Sequence, residues 1–288
     1  MEERRKERMK TLTRNLEVCD LLDIRNPQSV AEFAPQIYKY LHQEEMNHLY
    51  PQDFLVGNQN EITEKMRAYL IDWLSELHLK FKLWPETLYV CVGLIDKYIM
   101  MQPDLKKKDL QCLGITALHI AGKYEEIYPP ELKQILRVTD NAVEKEQVLQ
   151  LEFQILQRLD FNVTFPSILR FMERYARIAQ VQERTQMLAQ YLCDTCLLDC
   201  TLMKERPSKL AAVCLYAAMR LSKPLNSSSQ SIWNAILTKN SGYKEEDVRG
   251  MALDLIKFVK NVEQSSLQSL FKKYSGQRYL EAAKLLQQ

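Results

Sequence analysis

The sequence predicts an all-α protein, and three observations point to that class. Apolar residues recur at i, i+3, i+4 and i+7 along most of the 288 residues, which is the period of helices with one buried face. No segment shows the convincing alternation of apolar and polar residues that marks a half-buried strand. Glycine occurs only 7 times, too rarely for a fold rich in tight hairpins or phosphate-binding loops.

The first half of the chain contains one short predicted helix and then five more. Pro85 falls at the start of one of them, where its missing N–H is tolerated. In order, we expect helices at residues 36–45, 61–81, 86–101 and 108–124, one starting at Pro130, and one at 143–159.

Pro166 separates this set from a second series of five helices and a short tail helix. These are predicted at residues 167–179, 181–199, 207–222, 229–239, 245–262 and 266–274. Five helices followed by five suggest a repeated domain. In each set the third helix carries small residues on one face, which lets neighbouring helices approach closely: Gly114, Ala117 and Ala121, and then Ala211, Cys214 and Ala218.

Composition and charge exclude several classes of function. Hydrophobic residues make up 46% of the chain and the formal charge is only +2, so we expect a substantial core and no broad nucleic-acid surface. No apolar stretch approaches the roughly 18–20 residues of a membrane span, and the charged start MEERRKERMK lacks the core of a secretory signal. Seven cysteines without a disulfide spacing indicate a reducing, intracellular compartment.

Candidate catalytic and metal-binding residues are weak. Cys193, Cys196 and Cys200 share a predicted helix face, but a fourth ligand is missing locally, and packing in the core explains them better than zinc. His119 fits a core or near-core position rather than a catalyst. No Walker loop, dinucleotide fingerprint or nucleophile elbow occurs. We therefore expect no metal and no cofactor, and a binding protein rather than an enzyme.

One lysine stands out at the end of an otherwise apolar helix. In ITALHIAGKYEEIYPPEL, residues 115–132, Lys123 follows a run of small and apolar residues, and a Pro-Pro pair ends the segment. A solvated cation at a helix C-terminus is one explanation, because it suits the helix dipole. A binding role is the other.

Three segments closely resemble the cyclin box. They are MRAYLIDWLSELHLKFKLWPETLYVCVGLIDKYI at 66–99, LGITALHIAGKYEEIYPPEL at 113–132 and VTDNAVEKEQVLQLEFQILQRLDFNVTFPS at 138–167. SGYKEEDV and LFKKYSGQRYLEAAKLL are similar to the end of a second cyclin fold, so the resemblance runs from about Phe33 to Leu286. The chain is most similar to mitotic, B-type cyclins, with A-type cyclins as the nearest alternative.

The resemblance implies two tandem five-helix cyclin folds with a short N-terminal helix and a C-terminal tail helix. We expect a charged N-terminal segment at 1–32, the first cyclin box with its preceding helix at 33–162, and the second fold with the tail at 163–288. The implied function is that of a non-catalytic subunit that binds and activates a cyclin-dependent serine/threonine kinase of mitotic type at G2/M. It also implies recruitment of substrates or inhibitors with Arg-x-Leu motifs, and a location in the nucleus and cytoplasm.

The resemblance also implies roles for individual residues. Arg67 and Asp96 match an internal ion pair that joins the first two helices, and Lys123 and Glu152 match a pair that faces the kinase. Kinase binding is implied for Phe33, Ile37, Lys123, Tyr124, Glu152, Leu156 and Phe161. Substrate docking is implied for Met66, Tyr69, Leu70, Trp73, Glu76, Leu110 and Gln111.

Two positions depart from the family pattern, and two other functions stay open. Tyr69 replaces the usual isoleucine of the docking patch, and Cys112 replaces a leucine. A cyclin-fold transcription adaptor that grips DNA is one alternative, but it would need a basic face or a zinc ribbon. An enzyme that uses the cysteine cluster is the other.

Overall fold

The computed structural model describes residues 16–55, 59–140, 142–223 and 231–287. Within these ranges the protein consists of 13 α-helices joined by short 3-10 segments and loops, and it contains no strand. The predicted all-α class is confirmed.

Two helices precede the first repeat, and five helices form it. Thr63 fixes the start of the first helix of this repeat, because its side chain accepts a hydrogen bond from the Met66 amide. That helix therefore begins three residues later than predicted. The helices are α1 (Val18–Asp23), α2 (Ala34–Glu44), α3 (Glu64–Phe81), α4 (Pro85–Met101), α5 (Leu110–Glu125), α6 (Leu132–Leu136) and α7 (Lys145–Arg158).

The second repeat has the same number of helices and is followed by the tail helix. Its helices are α8 (Ile168–Ala179), α9 (Glu183–Cys196), α10 (Pro207–Leu221), α11 (Ala235–Ser241) and α12 (Glu245–Glu263), and the tail helix is α13 (Ser269–Ser275). Short 3-10 segments lie at Ala31–Phe33, Glu45–His48, Lys107–Asp109, Arg137–Thr139, Leu202–Lys204, Gln277–Tyr279 and Ala282–Gln287.

The third helix of each repeat is central, as its row of small residues predicts. Helix α5 packs against α3, α4 and α7, and α10 packs against α8, α9 and α12. Gly114 shows why small residues are needed, because a Cβ there would lie 2.8 Å from Leu70 Cδ1 on α3. Replacing this glycine would require the Leu70 side chain or the two helices to shift.

Two helices, α11 and α9, differ from the prediction in the residue at which they begin or end. Helix α11 begins at Ala235, not at 229; residues 229 and 230 lie outside the described residues, and 231–234 are not helical. Asn234 starts the helix by accepting from the Leu237 amide, and the Trp233 indole donates to the Tyr243 carbonyl, which holds the preceding turn. Helix α9 ends at Cys196, so Cys200 lies beyond it rather than on its face.

Helix α1 is a feature that the sequence did not predict. It lies in the segment expected to be only charged, of which residues 1–15 fall outside the described residues. Asp20 on α1 is buried and accepts from both terminal nitrogens of Arg174, with Arg174 Nη2 to Asp20 Oδ2 at 2.7 Å. Asp23 pairs with Arg177. These contacts hold the N-terminal segment against α8 of the second repeat.

A fully buried ion pair joins α3, α4 and the second repeat. Arg67 Nε and Nη2 each donate to the Asp96 carboxylate at 2.6 Å, and neither side chain is exposed. Arg67 Nη1 donates to the Leu197 carbonyl at 2.8 Å, just after α9. The Tyr50 hydroxyl completes the cluster by donating to Asp96 at 3.0 Å. Although burial opposes its charge, Asp96 raises the pKa of Arg67 above its usual range.

Asp194 forms a second buried polar cluster between the repeats. It accepts from the Tyr89 hydroxyl at 2.6 Å, from Lys273 Nζ at 2.8 Å and from the Tyr274 hydroxyl at 2.7 Å. Tyr89 is on α4, Asp194 on α9, and the other two residues are on the tail helix. Apolar residues of α3 and α4, including Ile71 and Leu88, also belong to the core of the second repeat.

Removing one partner of the Arg67 pair should strongly destabilise the protein. We expect Asp96→Asn to lower the free energy of unfolding by about 3–5 kcal/mol, because it leaves a buried guanidinium without its counter-charge. Urea unfolding followed by circular dichroism measures the change. The control is Asp254→Asn, which breaks an exposed ion pair with Lys257 and should have no measurable effect. Equal stability of the two variants would contradict this account of the fold.

Candidate functional site

Lys123 and Glu152 form an ion pair between the end of α5 and α7. Lys123 Nζ donates to Glu152 Oε1. The lysine side chain is 45% exposed, whereas the glutamate side chain is 10% exposed. Since an ammonium has three N–H donors, the lysine keeps donors directed at solvent while the buried carboxylate fixes its position. The pair therefore presents an oriented cation at the surface.

His119, one turn before Lys123, does not add charge to this pair. Burial lowers the pKa of His119, and the neighbouring Lys123 lowers it further, against the raising effect of Glu152. The imidazole is neutral near pH 7 for that reason. This agrees with the interpretation of His119 as a near-core residue.

Large apolar side chains lie exposed on the elements that surround the pair. Phe33 and Ile37 are one turn apart at the start of α2, and Leu156 is half-buried one turn after Glu152 on α7. Ile37 and Tyr124 line one cavity, so α2 and the end of α5 face each other there. The structure thus brings Ile37 and Tyr124 to one groove and links α5 to α7 through the ion pair.

Phe161 is displayed by an unusual backbone conformation. It follows α7 with φ of +57°, directly after Asp160 with φ of +48°. Left-handed geometry is rare for a bulky residue and costs on the order of 1–3 kcal/mol. The Phe161 amide donates to the Leu156 carbonyl at 2.8 Å, which closes the turn, and the ring is 66% exposed. Strain that holds an aromatic ring in solvent is typical of a functional position.

Several further exposed apolar residues were missed at the sequence level. Ile127 and Tyr128, just after α5, are 81% and 91% exposed. Leu149 and Phe153 are exposed on α7 and continue the face that carries Leu156. The sequence carries a signal for this face, because Leu149, Phe153 and Leu156 are spaced i, i+4 and i+7. A second apolar face on a helix that already has a buried one indicates a binding surface.

The residues predicted for substrate docking divide into buried and accessible groups. Leu70 and Leu110 are buried in the core of the first repeat. Met66 and Trp73 are partly buried against that core, Gln111 is half-buried, and Glu76 and Tyr69 are exposed. Cys112 also packs partly buried there, so the fold accommodates this departure from the family. Of the predicted patch, Met66, Tyr69, Trp73, Glu76 and Gln111 therefore remain at least partly accessible.

The tail helix borders this patch. The Tyr69 hydroxyl forms a hydrogen bond of 2.9 Å with Ser266 Oγ. Asp72 accepts from the Ser269 amide at 3.0 Å and from its hydroxyl at 2.8 Å, which caps α13. The tyrosine that replaces isoleucine is therefore tied to the tail rather than free to cover the groove.

The cysteines pack in two cores. Cys193 and Cys196 belong to the core of the second repeat, where Cys196 Sγ lies 3.7 Å from Cys214 Sγ, whereas Cys200 belongs to the core of the first. Burial raises the pKa of the Cys193 thiol. Among the described residues, no group of three or more His, Cys, Asp or Glu side chains is arranged to hold a metal ion. None of the described helices is long and apolar enough to cross a membrane.

Two family models match consecutive parts of the chain. The model described as "Cyclin, N-terminal domain" matches residues 36–164, and "Cyclin, C-terminal domain" matches residues 166–288. The two ranges are separated only by residue 165.

Curated proteins with the same name cover almost the whole chain. G2/mitotic-specific cyclin-B of Spisula solidissima is 36% identical over 94% of this chain and 61% of its own length. The protein of that name from Drosophila melanogaster is 32% identical over 93% of this chain and 51% of its own. The protein of that name from Hydra vulgaris is 35% identical over 91% of this chain and 70% of its own length. The chain thus spans about half to two thirds of these relatives.

Two solved structures share the fold. A viral cyclin from herpesvirus saimiri superposes with a TM-score of 0.66 at 18% identity, covering 82% of this chain and 99% of its own. A chain of the yeast RNA Pol II CTD kinase CTDK-1 complex superposes with a TM-score of 0.55 at 15% identity, covering 82% and 80%. At such identities these likenesses concern the fold alone.

Proposed function

The chain belongs to the cyclin family, and from that premise we propose that it is the regulatory subunit of a cyclin-dependent serine/threonine kinase of mitotic type. In this proposal the chain performs no phosphoryl transfer itself. The names of its relatives support a role at G2 and mitosis. Because the chain spans only 61% of the first relative, the proposal concerns this part of such a protein.

The observation that carries the proposal is the surface around Lys123 and Glu152. One oriented cation with a buried counter-charge lies on the same helices as exposed or half-buried apolar side chains, and the cavity beside Tyr124 connects these helices to Ile37 on α2. An apolar centre with few charged anchors is the arrangement of binding hot spots. The alternative, a solvated ion pair at a helix end, does not explain why large apolar side chains are exposed on the same elements. We name this set the kinase-facing surface: Phe33, Ile37, Lys123, Tyr124, Glu152, Leu156 and Phe161.

The proposed mechanism is conformational. Bound at this surface, the chain holds the kinase C-helix inward and orders the activation loop. That movement completes the catalytic Lys–Glu pair and the metal site, which belong to the kinase. Lys123 contributes by donating from its free N–H groups to backbone carbonyls of the kinase, while Glu152 keeps it in place.

The Lys123 pair gives a quantitative test of this surface. We expect Lys123→Ala and Glu152→Ala each to weaken binding to the cognate kinase by roughly 2–5 kcal/mol, or about 30-fold to several-thousand-fold. The reason is that either change leaves the other member of a desolvated pair alone. Calorimetric titration of both variants and of the double variant completes a cycle and isolates the coupling.

The control is Lys257→Ala, which breaks the exposed pair with Asp254 on α12. It should bind as the wild type does. Thermal melting of each free variant must show that the protein is folded at the temperature of the titration. Wild-type affinity of all three pair variants would contradict the interface.

We further propose that the patch on α3 binds Arg-x-Leu-type segments of substrates or inhibitors. Trp73 and Met66 supply a partly buried apolar floor, and exposed Glu76 supplies a carboxylate for the arginine. Tyr69, hydrogen-bonded to Ser266, marks the border of the patch with the tail. Leu70 and Leu110 contribute mainly by supporting this floor from the core.

Two variants test the docking patch, and one of them avoids the core. Trp73→Ala should reduce kcat/KM for a substrate that carries an Arg-x-Leu segment, and leave a short substrate without it unaffected. Glu76→Gln should also lower kcat/KM for the substrate with the Arg-x-Leu segment, by up to about fivefold, as expected for the loss of an exposed charge pair. The melting temperature of this variant should not change. Equal losses on both substrates, or none on either, would argue against docking at this patch.

The proposal includes both the nucleus and the cytoplasm, as the family resemblance implies. Imaging of the tagged chain through the cell cycle tests this part. Exclusion from either compartment at every stage would contradict it.

A further inference from the structure

A cavity of about 500 Å³ lies where the N-terminal segment, the first repeat and the second repeat meet. Its walls come from residues 29–41, from α4, from the end of α5, from the linker at 164–166 and from α8. The volume is large enough for an extended side chain or a small molecule. Its lining includes Ile37 and Tyr124, which also belong to the kinase-facing surface.

The charges that line the cavity do not balance. Arg174 and Arg177 are engaged by Asp20 and Asp23 of α1. The remaining guanidinium, Arg170, is shared among three carboxylates: its nitrogens lie 3.3 Å from Glu86, 4.0 Å from Glu125 and 3.9 Å from Glu173. One cation among three carboxylates leaves room for a second one.

Glu86 is the deepest of the three carboxylates. Its side chain is only 9% exposed, and its Oε2 receives no hydrogen bond from any described residue, since Arg170 Nε is near but not aligned. Burial raises the pKa of Glu86 to about 7, aided by Glu125 and Glu173, while Arg170 and a Ser167 hydrogen bond oppose the shift. The buried Glu86 side chain therefore lies in the wall of the cavity beside one guanidinium and two other carboxylates.

We propose that this cavity binds a cation carried on an alkyl stem, such as the side chain of an arginine or lysine. The charged head pairs with Glu86 and Glu125, and the stem packs on the apolar side chains of Val30, Ile37 and Val90. A guanidinium or ammonium supplies N–H donors and a second positive charge to these carboxylates, which otherwise share Arg170. The site does not depend on the proposed kinase function, and its test uses the protein alone.

The test compares a cation with its uncharged isostere. N-acetyl-arginine amide and N-acetyl-citrulline amide are titrated into the protein labelled at its Ile and Val methyl groups. The titration is run at pH 8, where Glu86 is ionised, and followed by NMR. We expect the arginine compound to shift the Ile37 and Val90 methyl signals saturably, and the citrulline compound to bind at least about tenfold more weakly.

Glu86→Gln should weaken binding of the arginine compound by about tenfold or more, because the glutamine side chain keeps the shape of glutamate and loses its charge. Glu125→Gln should act in the same direction and serves in place of the first variant if that one does not fold. Glu183→Gln, which removes an exposed charge on α9 outside the cavity, should change nothing. No saturable binding, equal binding of the two compounds, or equal binding by the cavity variants and wild type would overturn the proposal.

Two sources of the cation can be told apart once binding is found. A partner's side chain is the source if a capped Ala-Arg-Ala peptide binds more tightly than the single amino-acid amide. A free metabolite with a guanidinium or amine is the source if the flanking residues weaken binding. Both results support the site itself.

Discussion

The buried contact between Arg67 and Asp96 is the constraint on which the rest of the structure depends. A guanidinium keeps its proton in proteins, so a fully buried one must be given acceptors on every side. Asp96 on α4 supplies two of them, and the Leu197 carbonyl of the second repeat supplies a third. If α4 or the end of α9 moved, a charge would be left unpaired in the core. The arrangement of the two repeats is fixed by that cost.

The candidate site takes its rigidity from the same frame. Helix α4 supports α5, which carries Lys123 in its last turn. Gly93 on α4 receives the ring of Phe165 from the linker so closely that a Cβ would lie 2.7 Å from it. Glu86, at the start of α4, faces the cavity between the repeats. Lys123 and Glu152 therefore stand on helices that have little freedom to rearrange. Binding at a preorganised surface costs less ordering entropy.

Local sequence signals predicted most of the helices, but not the contacts between distant segments. The period of α3 to α5 and the small residues of the central helices predicted type and position, and the cyclin resemblance indicated the Arg67 and Lys123 pairs. Helix α1 was not predicted, because six residues are too few to show a helical period. Its stability comes from a contact with Arg174, 154 residues away in the sequence. The strained turn at Phe161 was not predicted, because its left-handed positions are held by Asp160 and Phe161 and not by glycine, the residue that usually signals this conformation.

Hydrogen–deuterium exchange of the chain with and without its cognate kinase tests the central claim most directly. The account predicts that the kinase slows exchange at residues 33–40, 120–128 and 149–161, which carry the kinase-facing surface. Helix α12 of the second repeat should exchange at the same rate in both states. Protection confined to α12 or to the tail, with those three segments unchanged, would contradict the assignment of the surface.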